Sequence, residues 1–361
     1  MPTWESTLNN PALLSTYPAE LAKDTASKGS FKADYDSLCL ANNIVPCPFI
    51  QQSADALACR VSNCVVDLPS WRAMLLAAST VNSAIVEIAM HSCTLTPQHL
   101  LDLAAAMDKM GTLQVLKLDY LSFADVPEGA GPASLLKPFI WGGTSAPVDY
   151  LSIKGNCLGD AFCTDPAIYQ SLSGNFSLQA LSLADNGITD VGACEILRAV
   201  RLSAGLKELS LSKNAITFSG ELAAGLSSLF SGSAATAEDE ATWKNAAKVI
   251  ADRNKAVKDK NKVRKKSGYA ELADTPTPPE RISKGSDGLN YISNRALASI
   301  DLSHCPLAPA DGVFAECVMA IRAAPKAPGM TLSLRLMLKG IDLKGVVGEV
   351  ETEAEGVTLM C

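Results

Sequence analysis

Charge is scarce in this sequence. Asp, Glu, Lys and Arg make up 19% of the 361 residues, and aromatic residues only 6%. The hydrophobic share is 48% and the mean hydropathy is +0.15. That much apolar chain excludes a wholly disordered polymer, and so little charge implies that a partner covers part of the apolar surface. No apolar run approaches the roughly 18 residues that a membrane span needs, so no membrane partner is expected. The opening stretch MPTWESTLNNPALLSTYPAE has no basic region followed by an apolar one and no Arg-rich, acid-poor character. Neither a secretory signal nor a transit peptide is expected there.

Catalytic signatures are also missing. There are three histidines, His91, His99 and His304, and none pairs with an Asp or Cys at ligand spacing. His99 is expected at a helix surface. The phosphate-cradling, dinucleotide-binding and nucleophile-elbow glycine patterns do not occur. The carboxylates Glu238, Asp239 and Glu240 cluster within a charged stretch rather than around a pocket. The expectation is no catalytic residue, no metal and no cofactor.

The net charge of −7 and a pI of about 5.1 argue against a nucleic-acid binder. The average hides an asymmetry. Residues 244–266 hold ten Lys/Arg and two Asp, a net of +8, which leaves −15 for the rest. The eleven cysteines are odd in number, and no two form a C-x-x-C pair. Many sit where a small apolar residue would serve, as Cys194 does in GACEIL. They read as free buried thiols in a reducing, cytoplasmic setting.

What the sequence does have is a repeat. LQALSLADNGI from Leu178 and LKELSLSKNAI from Leu206 both read L-x-x-L-x-L-x-x-N-x-I. VDYLSIKGNCL from Val148, LQVLKLDYLSF from Leu113 and LASIDLSHCPL from Leu297 are looser copies. Degenerate copies are placed at Ala56 (Cys59, Val61, Cys64, Val66), Ser83 (Val86, Ile88, Cys93) and Ser333 (Leu336, Leu338, Leu343). The fourth and sixth positions should point inward from a short strand and stack on the next repeat. Asn156, Asn186 and Asn214, with Cys305 as a substitute, should satisfy backbone groups where the chain leaves the strand. TPQHLLDLAAAMDKM, DVGACEILRAVRLS and APADGVFAECVMAIRA have helical apolar spacing. Thr96 and Asp190 are the expected helix N-caps.

The pattern resembles the leucine-rich-repeat proteins of the ribonuclease-inhibitor type. That resemblance implies an α/β solenoid, a horseshoe with parallel strands inside and helices outside. It also implies a binding scaffold rather than an enzyme. Ahead of the repeats, SFKADYDSLCLANNIVPCPFIQQ sets out Tyr35, Cys39, Ile44 and Pro46. This block is similar to one that precedes the repeats in ciliary and flagellar members of the family. The organisation expected is an N-terminal extension and cap over 1–55, repeats over 56–232, a charged, partly helical insertion over 233–290, and C-terminal repeats and cap over 291–361.

Within the insertion, EDEATWKNAAKVIADRNKAVKDKNKVRKK is helix-like, acidic first and basic last, and KGSDGLNY is loop-like. The candidate partner-binding residues are of two kinds. Lys117, Asp119, Tyr150, Lys154 and Glu208 lie between strand leucines on the inner face. Trp243, Lys262, Arg264, Lys265 and Lys266 belong to the insertion. The resemblance implies a structural component of a ciliary or flagellar axoneme or another large cytoskeletal assembly. Its partners would be other proteins of that assembly, tubulin or axonemal proteins among them. The alternative is an activator of a small GTPase, since Ran-type activators share the repeat; here the strand-to-helix turns are poor in Arg and the long acidic tail of many such activators is absent. A ubiquitin-ligase adaptor or an innate-immune sensor would bring an F-box or a nucleotide-binding domain, and neither is evident in residues 1–55.

Overall fold

Each repeat begins with a short strand, and the strands pair in parallel. The computed structural model describes residues 28, 30–53, 57–79, 83, 85–107, 109–126, 131–140, 148–175, 177–203, 205–229, 233–234, 236–266, 271, 282–284, 290–292, 296–307, 313, 316, 334–337, 353–354 and 357–360. Contacts divide the chain into two units. One comprises Met1–Phe139, Gly143–Asn156 and Asp252–Thr275; the other comprises Ile140–Gly142, Cys157–Ala251 and Pro276–Cys361.

In the first unit, helices α1 (Phe31–Ala41) and α2 (Pro48–Ser53) precede strand β1 (Ala58–Ser62) and helix α3 (Leu68–Ser79). Strands β2 (Glu87–His91) and β3 (Thr94–Leu95) lead into helix α4 (Pro97–Met107). Strands β4 (Val115–Asp119) and β5 (Ser122–Phe123), helix α5 (Pro132–Ile140) and strand β6 (Tyr150–Ser152) follow. The parallel order is β1-β2-β4-β6, in the register Cys59↔Ile88↔Leu116↔Leu151. Those four residues are buried, as are Val61, Met90, Leu118 and Ile153 two places on. The first of these rows corrects the expected frame of the second copy. The copy starts at Ile85 rather than Ser83, so Ile88 and Met90, not Val86 and Ile88, point inward.

The second unit has helices α6 (Gly159–Cys163) and α7 (Pro166–Ser173), strand β7 (Ala180–Ser182), helix α8 (Asp190–Val200), strand β8 (Glu208–Ser210) and helix α9 (Gly220–Ser228). Strand β9 (Ser233–Ala234) opens the insertion, whose long helix is α10 (Ala237–Lys266); the helix residues from Asp252 on are counted with the first unit. Strands β10 (Ile282–Lys284) and β11 (Asn290–Ile292) close it, and β12 (Ser299–Asp301) and β13 (Leu334–Met337) resume the repeat. The stretch read as loop-like thus carries strand at both ends. β11 pairs antiparallel with β9, Ala234 facing Tyr291, so the insertion returns beside its point of departure. The parallel row then runs Leu181↔Leu209↔Ile300↔Leu336. Strand β14 (Glu353–Ala354) and strand β15 (Val357–Met360) extend it, with Leu336 facing Leu359. The sequence pattern had not marked β15. The expected helix APADGVFAECVMAIRA lies almost wholly outside the described residues.

One backbone device recurs. The residue before the asparagine site is left-handed in all seven described copies: Asn63, Ser92, Tyr120, Gly155, Asp185, Lys213 and His304, with φ between 52° and 65°. Its N–H donates to the next repeat's seventh-position carbonyl. The pairs are Asn63 to His91, Ser92 to Asp119, Tyr120 to Lys154, Asp185 to Ser212 and Lys213 to Ser303, at 2.7–3.0 Å. The chain thus turns out of the strand without orphaning its donor.

The asparagine site does what its chemistry suggests. Asn156 Nδ2 donates to Leu118 O at 2.8 Å, and its Oδ1 accepts from Leu121 N at 2.9 Å. Asn214 Nδ2 donates to Leu183 O at 3.0 Å, and its Oδ1 accepts from Asn186 N and Ile188 N at 2.9 and 3.1 Å. The Cys305 thiol reaches the equivalent carbonyl, Leu211 O, at 3.3 Å. Four residues past the asparagine, an aspartate bridges to the next repeat. Asp160 accepts from Thr189 N and Gly192 N at 2.8 and 3.1 Å. Asp190 accepts from the backbone N–H groups of Thr217, Phe218 and Ser219 at 3.1–3.3 Å. The N-cap of α8 is therefore Thr189, which accepts from Val191 N, and not Asp190, whose carboxylate serves the following turn.

His99 is 3% exposed, not at a surface. Its Nδ1 accepts from Thr96 N at 3.1 Å, which leaves Nε2–H to donate to Val66 O at 3.0 Å. Its ring packs on Trp71 at 5.6 Å. Burial lowers its pKa, so the ring is held neutral.

Candidate functional site

The third, fifth and seventh positions of each strand alternate with the buried ones and share a face. In the first unit the fifth-position row is Arg60, Ala89, Lys117 and Ser152. The third-position row beside it is Ala58, Glu87, Val115 and Tyr150. The two rows are tied together through one carboxylate. Glu87 accepts from Arg60 Nη2, and from Lys117 Nζ at 2.9 Å. Lys117 Nζ also lies 5.6 Å from the centroid of the Tyr150 ring, a cation–π distance.

Exposure decides the sign of this face. The Arg60 and Lys117 side chains are 59% and 37% exposed, and Glu87 is 12% exposed. Two cations therefore look outward from one nearly covered anion. The Arg60 hydrogen bond, with Lys117 behind it, holds the Glu87 carboxyl below its usual pKa against the opposing pull of burial.

The remaining inner-face candidates separate by availability. Asp119 is 8% exposed, and its carboxylate accepts from Ser152 Oγ at 2.6 Å and Lys154 N at 3.0 Å. Its lone pairs serve the turn and leave little for a partner. Lys154 and Tyr150 are half-buried. His91 is exposed, and its ring meets Tyr120 edge-on at 5.2 Å. Tyr120 in turn lies over Gly155, where any Cβ would fall within 2.1 Å of the ring.

In the second unit, Glu208 is exposed and its neighbours are small. Ser210 Oγ donates to Asp301 Oδ2 at 3.0 Å, and Asp301 Oδ1 accepts from Ser303 N at 2.9 Å. On α10, Lys262 pairs with Asp259 at 2.8 Å, and both side chains are more than half exposed, so the pair contributes little. Lys265 and Lys266 are exposed. The side chains of Trp243 and Arg264 lie outside the described residues. Of the candidates, the geometry brings together Lys117 with Tyr150 and Asp119 with Lys154.

Arg60, Glu87 and His91 belong to this face and were not singled out from the sequence. Their two copies keep few consensus leucines. The frame of the second became visible through its strand register, and its left-handed Ser92 agrees with it. A further feature lies beside the first repeat. A cavity of about 720 Å³ is lined by Ile44, Val45, Pro46, Phe49, Val65 and Arg72. Val45 and Val65 are 82% and 75% exposed.

Residues 174–196 match the family model described as a leucine-rich repeat. The chain carries a leucine-rich repeat. The matched stretch contains β7, the left-handed Asp185, Asn186 and the first turns of α8. No curated protein matches the chain. Repeats of this kind commonly bind other proteins, which supports a protein-binding role for this chain. Among the described residues no helix is long and apolar enough to cross a membrane, and no group of three or more His, Cys, Asp or Glu is placed to hold a metal ion.

Proposed function

We propose that the chain is a non-enzymatic, cytoplasmic scaffold: a curved solenoid of the ribonuclease-inhibitor type that binds an acidic protein surface with the strand face of its first unit. The observation that carries this reading is the Arg60–Glu87–Lys117 cluster with Tyr150 beside Lys117. Its exposed charge is positive on a chain whose net charge is −7. A fixed cationic strip on an acidic body selects an acidic partner, because other acidic surfaces of the chain repel it.

The partner we favour is a ciliary or flagellar axoneme, whose tubulin surfaces are acidic. Two features support that choice. The block Tyr35, Cys39, Ile44 and Pro46 is built into the first unit: Tyr35 is fully buried, and its hydroxyl meets Ser70 Oγ and accepts from Cys47 N at 2.8 Å. The C-terminal half of α10 offers a second basic surface. Fractionation of detergent-extracted cilia tests the reading. The protein should stay in the cytoskeletal pellet and leave it with rising salt. A fully soluble protein would end the axonemal assignment.

A further inference from the structure

The asparagine site of the first two copies holds cysteine instead: Cys64 and Cys93. Their sulfurs are 4.0 Å apart. Cys93 occupies its site as asparagine does elsewhere. Its thiol reaches Val61 O, the carbonyl corresponding to Leu118 O and Leu183 O, at 3.5 Å. It is fully buried, whereas Cys64 is half-buried. Both are free thiols.

The backbone around them is already at bridging distance. Asn63 N donates to His91 O at 3.0 Å, Thr94 N donates to Cys64 O at 2.9 Å, and Val65 and Thr94 form a parallel bridge. Parallel neighbours stand about 4.8 Å apart, inside the ~4.4–6.8 Å Cα range of disulfides. Closing the sulfurs needs side-chain rotation rather than movement of the repeats. A third thiol, Cys47, lies beside Cys64. Its backbone is committed elsewhere: its N–H donates to Tyr35 and Ser70, and its carbonyl accepts from Gln51.

We propose that Cys64 and Cys93 form an oxidation site that takes a low-molecular-weight disulfide and closes to a disulfide between the first two repeats. The Cys64 thiolate attacks one sulfur of the small disulfide. A mixed disulfide forms and one small thiol leaves. The Cys93 thiolate then attacks the Cys64 sulfur, and the second small thiol leaves. Two cysteines are oxidised, one disulfide is reduced, and the two protons end on the released thiols. Cys64 is the entry point because it is the less buried of the two. Burial first, then the neighbouring Cys93 thiol, pushes Cys64 up to about 12. At neutral pH it is nearly all protonated, so the site closes slowly. The rate should rise about tenfold per pH unit between roughly pH 7 and 9. Once closed, the link adds a covalent tie between two repeats already joined by ladder bonds, the Arg60–Glu87 pair and buried apolar contacts, and the thermal transition should rise.

The experiment incubates the intact protein with oxidised glutathione and reads mass and peptide map over time. The expected result is loss of two hydrogens with a single linked peptide pair, Cys64–Cys93. The transition temperature should rise, and reductant should reverse it. Cys64→Ser and Cys93→Ser should each abolish the linked pair. Cys47→Ser, which removes only the neighbouring thiol, should retain it. Linkage of Cys47 to Cys64 in the wild-type chain would overturn the assignment, as would glutathione adducts that never resolve. A closure rate independent of pH over the same range would overturn Cys64 as the entry point.

Discussion

The backbone N–H of Lys213 donates to the carbonyl of Ser303 at 2.9 Å, although the entire charged insertion separates the two in sequence. The same bond joins directly successive repeats elsewhere, so the parallel ladder passes the insertion without a break. Antiparallel pairing of Ala234 with Tyr291 closes the insertion at its base. Deleting residues 233–290 should therefore leave the repeats folded, because removing a long excursion changes loop-closure entropy little. Circular dichroism and thermal melting check the fold. Association with the assembly should weaken and lose salt sensitivity. Changing Lys262, Arg264, Lys265 and Lys266 to Ser should reproduce part of that loss. Undiminished co-sedimentation of the deletion variant at low and moderate salt would make the insertion a spacer.

The left-handed residue before the asparagine site is lysine at 213, with φ 58°. A side chain there costs about 1–2 kcal/mol relative to an unstrained residue. Lys213→Gly should relieve part of that strain and raise stability. Lys213→Val, β-branched, should lower it. Urea denaturation of the two variants should give shifts of opposite sign.

Asn214 Oδ1 accepts two buried N–H groups, of Asn186 and Ile188. Asn214→Ala orphans both, at ~1–3 kcal/mol each. Leu209 is 1% exposed and lies in the row of inward residues. Leu209→Ala should cost ~2–5 kcal/mol for the vacated space. Equilibrium unfolding of each variant measures these costs, and unchanged midpoints would remove the repeat register.

His99 supplies a pH test. Its folded pKa is lowered by burial below an unfolded value near 6.5. The unfolded chain therefore binds the proton first. The stability that neutral His99 contributes is complete above about pH 6.5 and falls as pH drops toward the folded value. His99→Gln should flatten that limb of the stability profile. A variant with the wild-type slope would place the titration elsewhere.

The repeat was legible where its consensus is dense. LQALSLADNGI and LKELSLSKNAI set the inward row Leu181↔Leu209 and the Asn214 bonds correctly, because leucine and asparagine are demanded by packing and by carbonyl geometry. The copy at Ile85 was misplaced by two residues, since Ile88, Met90 and Cys93 are weak markers individually. The left-handed position could not be read at all. Asn, Ser, Tyr, Gly, Asp, Lys and His all fill it, because the ladder bond beneath uses only the backbone. His99 looked superficial because its helix spacing is ambiguous. Its burial comes from Trp71, a residue of the preceding repeat. The proposed binding face was half legible: Lys117 and Tyr150 were read from the third and fourth copies, while Arg60 and Glu87 depended on pairing between the two weakest ones.

The most direct test of the scaffold account is rebinding of purified protein to detergent-extracted axonemes by the double variant Lys117→Gln, Lys154→Gln. The variant leaves Glu87 paired with Arg60, so its melting temperature should stay close to wild type. The account predicts at least a tenfold weaker association, about 1.4 kcal/mol, with a shallower salt dependence. Rebinding as tight and as salt-sensitive as that of the wild-type chain would contradict it.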